Sequence, residues 1–388
     1  MIPKRGFTQS EFEQRLENAQ GQMGKNSFDV LLFCTETEVR YFSGFHTQFW
    51  QSPTRPWFLC VPKSGKPVAV IPQIGEACMG RTWLDDIRVW NSPNPDDDGI
   101  SLLEETLREL AGSGTRIGFP MGAETQLRMP LKDFKKLSID LGGFEFRDTT
   151  ELIRSLRMVK SEQEIEKIAH VCKLVSQVFK ALPEWLLEEP REIDVFHRFK
   201  SECLREGVDD VSYLVGEAGP SGYWDIISPP TDRKLKRNDV LILDTGCVFD
   251  GYFCDFDRNY AIGKTNESVK KAYRSVYQAT DAGFQAAITG NTCAEVFKAM
   301  HQVLEKCGTL GNQVGRMGHG LGMQLTEWPS LAPFDQTVLE PGMVITLEPG
   351  MSYAPGKLMV HEENIVIRED GPEWLTCRAP PEIPVVDL

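Results

Sequence analysis

Residues 240–262, VLILDTGCVFDGYFCDFDRNYAI, constrain this chain more than any other stretch. Two β-rich runs flank Asp250-Gly251, a dipeptide suited to a two-residue hairpin turn. With that turn, Phe249 faces Tyr252, Gly246 faces Asp255 and Asp244 faces Asp257. Side chains alternate along a strand, so Asp244, Asp255 and Asp257 share one face. Asp244 directly follows VLIL, an apolar run typical of a buried strand. Carboxylates crowded on one patch repel, and burying unpaired charge costs roughly several kcal/mol. A bound divalent cation compensates directly, and hard metals take carboxylate oxygens as ligands. The competing reading is a solvated acidic face, or one paired with Arg258 and nearby lysines.

Further metal-ligand types lie downstream. His319 sits in GHGLG at 318–322, among glycines expected to let backbone approach a bound group. Glu348 follows Leu347 and precedes Pro349-Gly350, at the end of a strand. Glu362 and Glu363 follow Val360-His361. Two aspartates, one histidine and two glutamates suit a pair of divalent ions such as Mn, Co, Zn or Fe, with near-neutral total charge.

The rest of the chain supplies a scaffold. In the first 150 residues, strands are expected at 28–34, 58–62, 67–72 and 115–119, with a helix at 102–110. That alternation points to an α/β domain. The segment 46–57, HTQFWQSPTRPW, holds Pro53 and Pro56 and reads as a loop. Its Trp50, Arg55 and Trp57 suit either a pocket wall or interface, or a loop folded over its own core. Composition changes near residue 150. Ile165, Ile168, Cys172, Val175 and Phe179 recur at helical spacing behind a Ser161–Glu164 capping box. Helices follow around Ile193 to Cys203, at 268–288 and at 293–307. Strands are expected at 240–248, 252–262, 343–347 and 359–367.

Composition narrows the partners. At 388 residues with 41% hydrophobic content the chain is an ordinary globular protein, with two domains as a starting expectation. A net charge of −14 disfavours nucleic acid and anionic membranes. No apolar run behind the first residues suggests a secretory signal, and none approaches a bilayer span. Ten cysteines without a C-x-x-C pair read as reduced thiols of a cytoplasmic protein.

Six segments together resemble one family. LDTGCVFDGYFCDFDR at 243–258 keeps ten residues between Asp244 and Asp255; GHGLGM at 318–323, TLEPGM at 346–351 and HEENIVI at 361–367 follow in order. LIRSLRMVKSEQEIEKI at 152–168 resembles the linker before the catalytic domain, and VRYFSGF at 39–45 the N-terminal domain. The chain is similar to the creatinase, aminopeptidase P and prolidase family. The resemblance implies an α+β protein with a creatinase-like α/β N-terminal domain (1–152) and a pita-bread catalytic domain (153–388). It implies Asp244, Asp255, His319, Glu348 and Glu362 as ligands of two metal ions. Glu362 is chosen over Glu363 because Ile365-Val366-Ile367 begin three positions later.

The implied chemistry is hydrolysis of an amide C–N bond by a metal-bridging hydroxide. Glu348 would shuttle the proton and His319 would help polarise the substrate. The likeness also implies a dipeptide or small-molecule substrate and a homodimer, with 46–57 reaching the partner's site. Four family positions differ: Ile227, Thr326 and Val360 stand where peptide-holding histidines and an arginine occur, and Asp257 replaces a small hydroxyl residue. Tyr223, Trp224, Thr326 and His361 are then expected pocket residues. The departures open an alternative, a member acting on a small zwitterionic solute, like creatinase, ectoine hydrolase or a dimethylsulfoniopropionate lyase. A non-catalytic binding module is disfavoured because all five ligand types are kept.

Overall fold

The hairpin forms in the register implied by its turn. Asp250 and Gly251 both have positive φ (47° and 78°), as a type I′ turn requires. Phe249 pairs with Tyr252, and Asp244 lies directly across from Asp257. This is a computed structural model that describes residues 2–186, 191–311 and 315–387. The chain divides into two compact units, Lys4–Arg157 and Met158–Leu388 with Met1–Pro3.

The first unit is built on a six-stranded mixed sheet. Its order is Asp86–Trp90, Val68–Pro72, Phe58–Pro62, Val30–Phe33, Arg116–Phe119 and Glu145–Asp148. The apolar runs bury completely, and helix Ile100–Ala111 packs Leu103 and Leu107 into the same core. Helix Gln9–Asn26 was not expected. Its buried face (Phe12, Leu16, Ala19, Met23) is interrupted by Arg15, whose guanidinium stacks on Phe7 and Tyr41 and donates to the Tyr41 carbonyl.

The aromatic segment 46–57 folds onto this same unit. Trp57 is only 2% exposed and packs against Phe45 and Gly75, where a Cβ would lie 2.1 Å from the indole. Trp50 packs beside it, with the Arg128 guanidinium 4.8 Å from its ring centroid. Arg128 also donates to the carbonyls of Ser52 and Thr54. Arg55 donates to Ser92 at 2.9 Å. Trp57 therefore builds its own domain's core and is not a pocket wall; Trp50 and Arg55 brace the loop.

In the second unit, helix Glu162–Trp185 starts at the expected capping box, with Ser161 and Glu164 bonded reciprocally. One sheet centres on strand Asp239–Phe249. Tyr252–Phe253 and Phe256–Ile262 lie along one edge, and Asp210–Val215 and Ala218–Pro220 along the other. A second sheet runs Glu327–Ser330, His319–Gly320, Val344–Leu347, Glu363–Arg368 and Gly371–Trp374. Helices Glu267–Ala286 and Cys293–Cys307 pack Val276, Ala279 and Met300 into the core that these strands share.

Two expected strands are each broken in two. The run 252–262 stops at Cys254-Asp255 between Tyr252–Phe253 and Phe256–Ile262. The run 359–367 stops at His361-Glu362: Lys357–Val360 pairs with Gly350–Ala354, whereas Glu363–Arg368 joins the larger sheet. Both breaks fall where candidate ligands stand.

Candidate metal centre

The two sheets of the second unit bring the five expected ligand residues together. Asp244 comes from the middle of the central strand and Asp255 from the break before Phe256. His319 opens a short strand, Glu348 follows Val344–Leu347, and Glu362 precedes Glu363–Arg368. His319 Nε2 lies 3.4 Å from Asp255 Oδ2 and 4.0 Å from Glu348 Oε2. Ligand atoms of Asp255, His319 and Glu362 all lie within 4.8 Å of one another.

Local contacts hold these groups in place. The Asn364 carboxamide accepts from the Asp255 N–H at 3.0 Å and donates back to the Asp255 carbonyl. This pair of hydrogen bonds ties the start of Glu363–Arg368 to the strand break at Asp255. His319 Nδ1 bonds the Gly320 carbonyl at 2.9 Å. A carbonyl only accepts, so Nδ1 carries the proton and Nε2 presents its lone pair to the carboxylates. The His319 N–H donates to Thr346 Oγ1. The flanking glycines allow close chain packing. A Cβ on Gly318 would lie 2.2 Å from the Thr346 carbonyl, and one on Gly320 2.2 Å from the Trp328 carbonyl.

The cluster is electrostatically under-compensated. Burial pushes Asp244 well above the usual carboxylate range, and the charges of Asp255 and Glu348 push it further. Glu362 rises for the same reasons, burial first and then Asp255, Glu348, Asp244 and Asp257. Burial also raises Asp255, against the opposing charge of Arg316. Glu348 is raised by burial although His319 and Arg316 pull it down. Asp244 Oδ1, Asp257 Oδ2 and Glu362 Oε1 are buried without a hydrogen-bond partner. Buried anionic oxygens in that state call for a cation. Oxygen donors plus one imidazole nitrogen fit divalent first-row metals.

Arg258 does not supply the missing charge. Its guanidinium is held by the carbonyls of Asp257, Glu362 and Cys377 and pairs with Glu363 at 2.9 Å. Glu363 also accepts from Thr376 and from the Ala379 N–H. Burial acts to raise Glu363, but Arg258, His361, Thr376 and Ala379 hold it below its ordinary value. Glu362 therefore joins the cluster and Glu363 does not.

The expected pocket residues separate. Asp257 belongs to the cluster; burial and Asp244 raise it strongly. Thr326 lies 3.4 Å from Arg316. Tyr223 is buried and acts as a clamp: its hydroxyl donates to Asn259 at 2.7 Å and accepts from the Val360 N–H. Trp224 is 45% exposed, with its N–H bonded to Glu217. His361 lies in the core beside Tyr273 and Tyr277, donating from Nδ1 to Thr280. Burial lowers its pKa to about 3. Tyr223 and His361 thus position the chain and do not line an open pocket.

Three neighbours of the cluster escaped sequence reasoning. Tyr213 faces Gly246, two residues from Asp244 on the same face, and its hydroxyl is raised by burial and by the cluster's charges. Pairing of 210–215 with the central strand would have found it. Arg316 lies three residues before His319. Asn364 carried no signal in the sequence.

Comparison with known proteins settles the ancestry. Residues 166–369 match the profile of metallopeptidase family M24, and residues 15–159 that of the creatinase/prolidase N-terminal domain. The chain belongs to metallopeptidase family M24. A probable dipeptidase PepE of Mycobacterium tuberculosis is 28% identical over 370 residues, 95% of each chain. The Xaa-Pro dipeptidase of Pyrococcus furiosus is 26% identical, covering 94% of this chain and 98% of that one. Among solved structures, the dipeptidase PepE of Mycobacterium ulcerans superposes with a TM-score of 0.85 at 25% identity, covering 98% and 99% of the two chains. The prolidase of Thermococcus sibiricus gives 0.86 at 25% identity, covering 96% and 99%. The M24 member described here has the α+β pita-bread architecture with a creatinase-like N-terminal domain. It is a hydrolase of a family that works with divalent metal. Among the described residues no helix is long and apolar enough to cross a membrane.

Proposed function

We propose that Asp244, Asp255, His319, Glu348 and Glu362 hold two divalent ions (Mn, Co, Zn or Fe), and that the enzyme hydrolyses an amide C–N bond of a dipeptide-like substrate. The observation that carries this is the cluster of buried acids with orphaned oxygens and raised pKa values. Four carboxylates against two divalent ions give an inner shell of near-zero charge. Ions held there would lower the pKa of a water at the site by many units and so supply a nucleophile near neutral pH. Glu348, whose side chain is 15% exposed, would accept the proton from the attacking water and pass it to the leaving nitrogen. His319, oriented through its Nδ1–H bond to the Gly320 carbonyl, would present Nε2 to one of the ions and act on the substrate through it. Asn364 holds Asp255 in register throughout. The names of the mycobacterial and archaeal relatives support a dipeptide substrate.

A second reading rests on three positions. Ile227 is 75% exposed and carries no polar group, Val360 is buried, and Thr326 is a hydroxyl. None supplies an imidazole or guanidinium to hold a peptide. A small zwitterionic solute would need less of that grip. A cytoplasmic homodimer belongs to the same proposal. Ten free cysteines support the reducing compartment, and the family resemblance supports the dimer.

The test is elemental analysis of the purified protein together with an assay on Gly-Pro-type dipeptides. Two metal ions per chain with dipeptide cleavage support the first reading, and metal without cleavage the second. In Asp244→Ala both metal and turnover are expected to disappear; full turnover by metal-free protein would refute the proposal.

A further inference from the structure

Arg316 has no part in the chemistry just proposed, yet it is the arginine whose charge bears on both Asp255 and Glu348. The backbone beside it is clamped. The Met317 N–H donates to the Leu331 carbonyl at 2.9 Å, and the Met317 carbonyl accepts from the Glu348 N–H at 3.1 Å. The guanidinium is thus carried on a rigid connection between candidate ligands. Its contacts are long for charged groups: 3.9 Å to Glu348 Oε1, 3.4 Å to Thr326 Oγ1 and 3.5 Å to Ser330 Oγ. Arg258 shows what a structurally committed guanidinium looks like here. It is 7% exposed, with contacts of 2.6, 2.7 and 2.9 Å. Arg316 instead keeps its side chain 29% exposed and has five N–H donors with no close acceptor among the described residues.

We propose that Arg316, flanked by the Thr326 and Ser330 hydroxyls, binds a carboxylate of the substrate whose amide is cut at the cluster. The inference rests on the metal-dependent hydrolase reading and names the substrate's second anchor. A guanidinium matches a planar carboxylate with two parallel hydrogen bonds, and the hydroxyls add donors at its edge. Arg316 supplies the grip on substrate that Ile227 and Val360 do not.

The test uses manganese-loaded full-length protein and ligands that cannot be hydrolysed. Proline, leucine and phenylalanine are titrated by calorimetry against prolinol, leucinol and phenylalaninol, with metal content measured in parallel. Wild type is expected to prefer the acids. Arg316→Met should weaken the acids about tenfold to a hundredfold, leave the alcohols nearly unchanged and keep the metal. Arg316→Lys, which retains charge without the planar fork, should fall between. Equal loss for acids and alcohols, loss of metal in Arg316→Met, or a wild type with no preference for acids overturns the proposal. A wild type that takes up no manganese refutes the metal reading itself, and this proposal with it.

Discussion

Glu362 and Glu363 are adjacent, equally buried and chemically identical, yet they end in opposite electrostatic worlds. Glu363 faces a closed network: Arg258 at 2.9 Å, the Ala379 N–H at 2.9 Å, Thr376, and Arg378 at 3.6 Å. Its pKa is held down. Glu362 faces Asp255, Glu348, Asp244 and Asp257, has an oxygen without a partner, and is pushed up. The difference separates an acid kept for architecture from one kept for a ligand. The first has its charge balanced by the chain, and the second waits for charge from outside. The break at His361-Glu362, after which Glu363 opens a strand of the larger sheet, sends two neighbours to such different places.

Exchanging the roles of the two glutamates should give the largest effects. Glu362→Gln is expected to abolish metal binding and turnover while leaving metal-free protein at least as stable as wild type, because it removes a repelling charge. Glu363→Gln should instead leave Arg258 buried without its counter-charge and cost about 3–5 kcal/mol of stability. Urea melts of metal-free protein and elemental analysis read both. Equal destabilisation by the two substitutions would break the comparison.

A smaller effect is expected from the residue that joins the two regions. Asn364→Ala removes both hydrogen bonds to the Asp255 backbone. Metal affinity should fall about tenfold to a hundredfold, measured by chelator competition, as for other groups that orient a ligand. Unchanged affinity would show that Asp255 is positioned without it.

The pH dependence of stability sharpens the contrast further. In metal-free protein Asp244, Asp255 and Glu362 have pKa values raised above those of the unfolded chain, so the folded state binds more protons. Stability is then full below the unfolded values near 4 and is lost as pH rises through the folded ones. Thermal melts should show metal-free protein losing stability as pH rises above the ordinary carboxylate range. Metal should abolish most of that slope. Glu363, held low, contributes the opposite sign, lost only as pH falls into the acidic range.

Much of the candidate site was legible because its spacing is local. A D-G turn and strict alternation place Asp244 opposite Asp257, and both outcomes depend only on residues within one hairpin. The choice of Glu362 over Glu363 rested on the family resemblance alone. The breaks at Asp255 and at His361-Glu362 were invisible, since the runs that contain them are continuously β-rich. Those breaks are made by partners distant in sequence, Asn364 for one and the exchange between two sheets for the other. Trp57 shows the same limit. Its burial depends on Gly75 leaving room for the indole, which an aromatic loop read by itself does not reveal.

The linear chain by itself determined that several acids would be forced onto one patch and that a histidine and further glutamates of metal-binding type follow them. Those facts depend on turn chemistry and residue type. Only the folded molecule decided which acids lack a counter-charge, which arginine is spent and which is available, and which aromatic residues are core. Charge compensation and burial are sums over neighbours from every strand and helix nearby, and no stretch of sequence contains that sum.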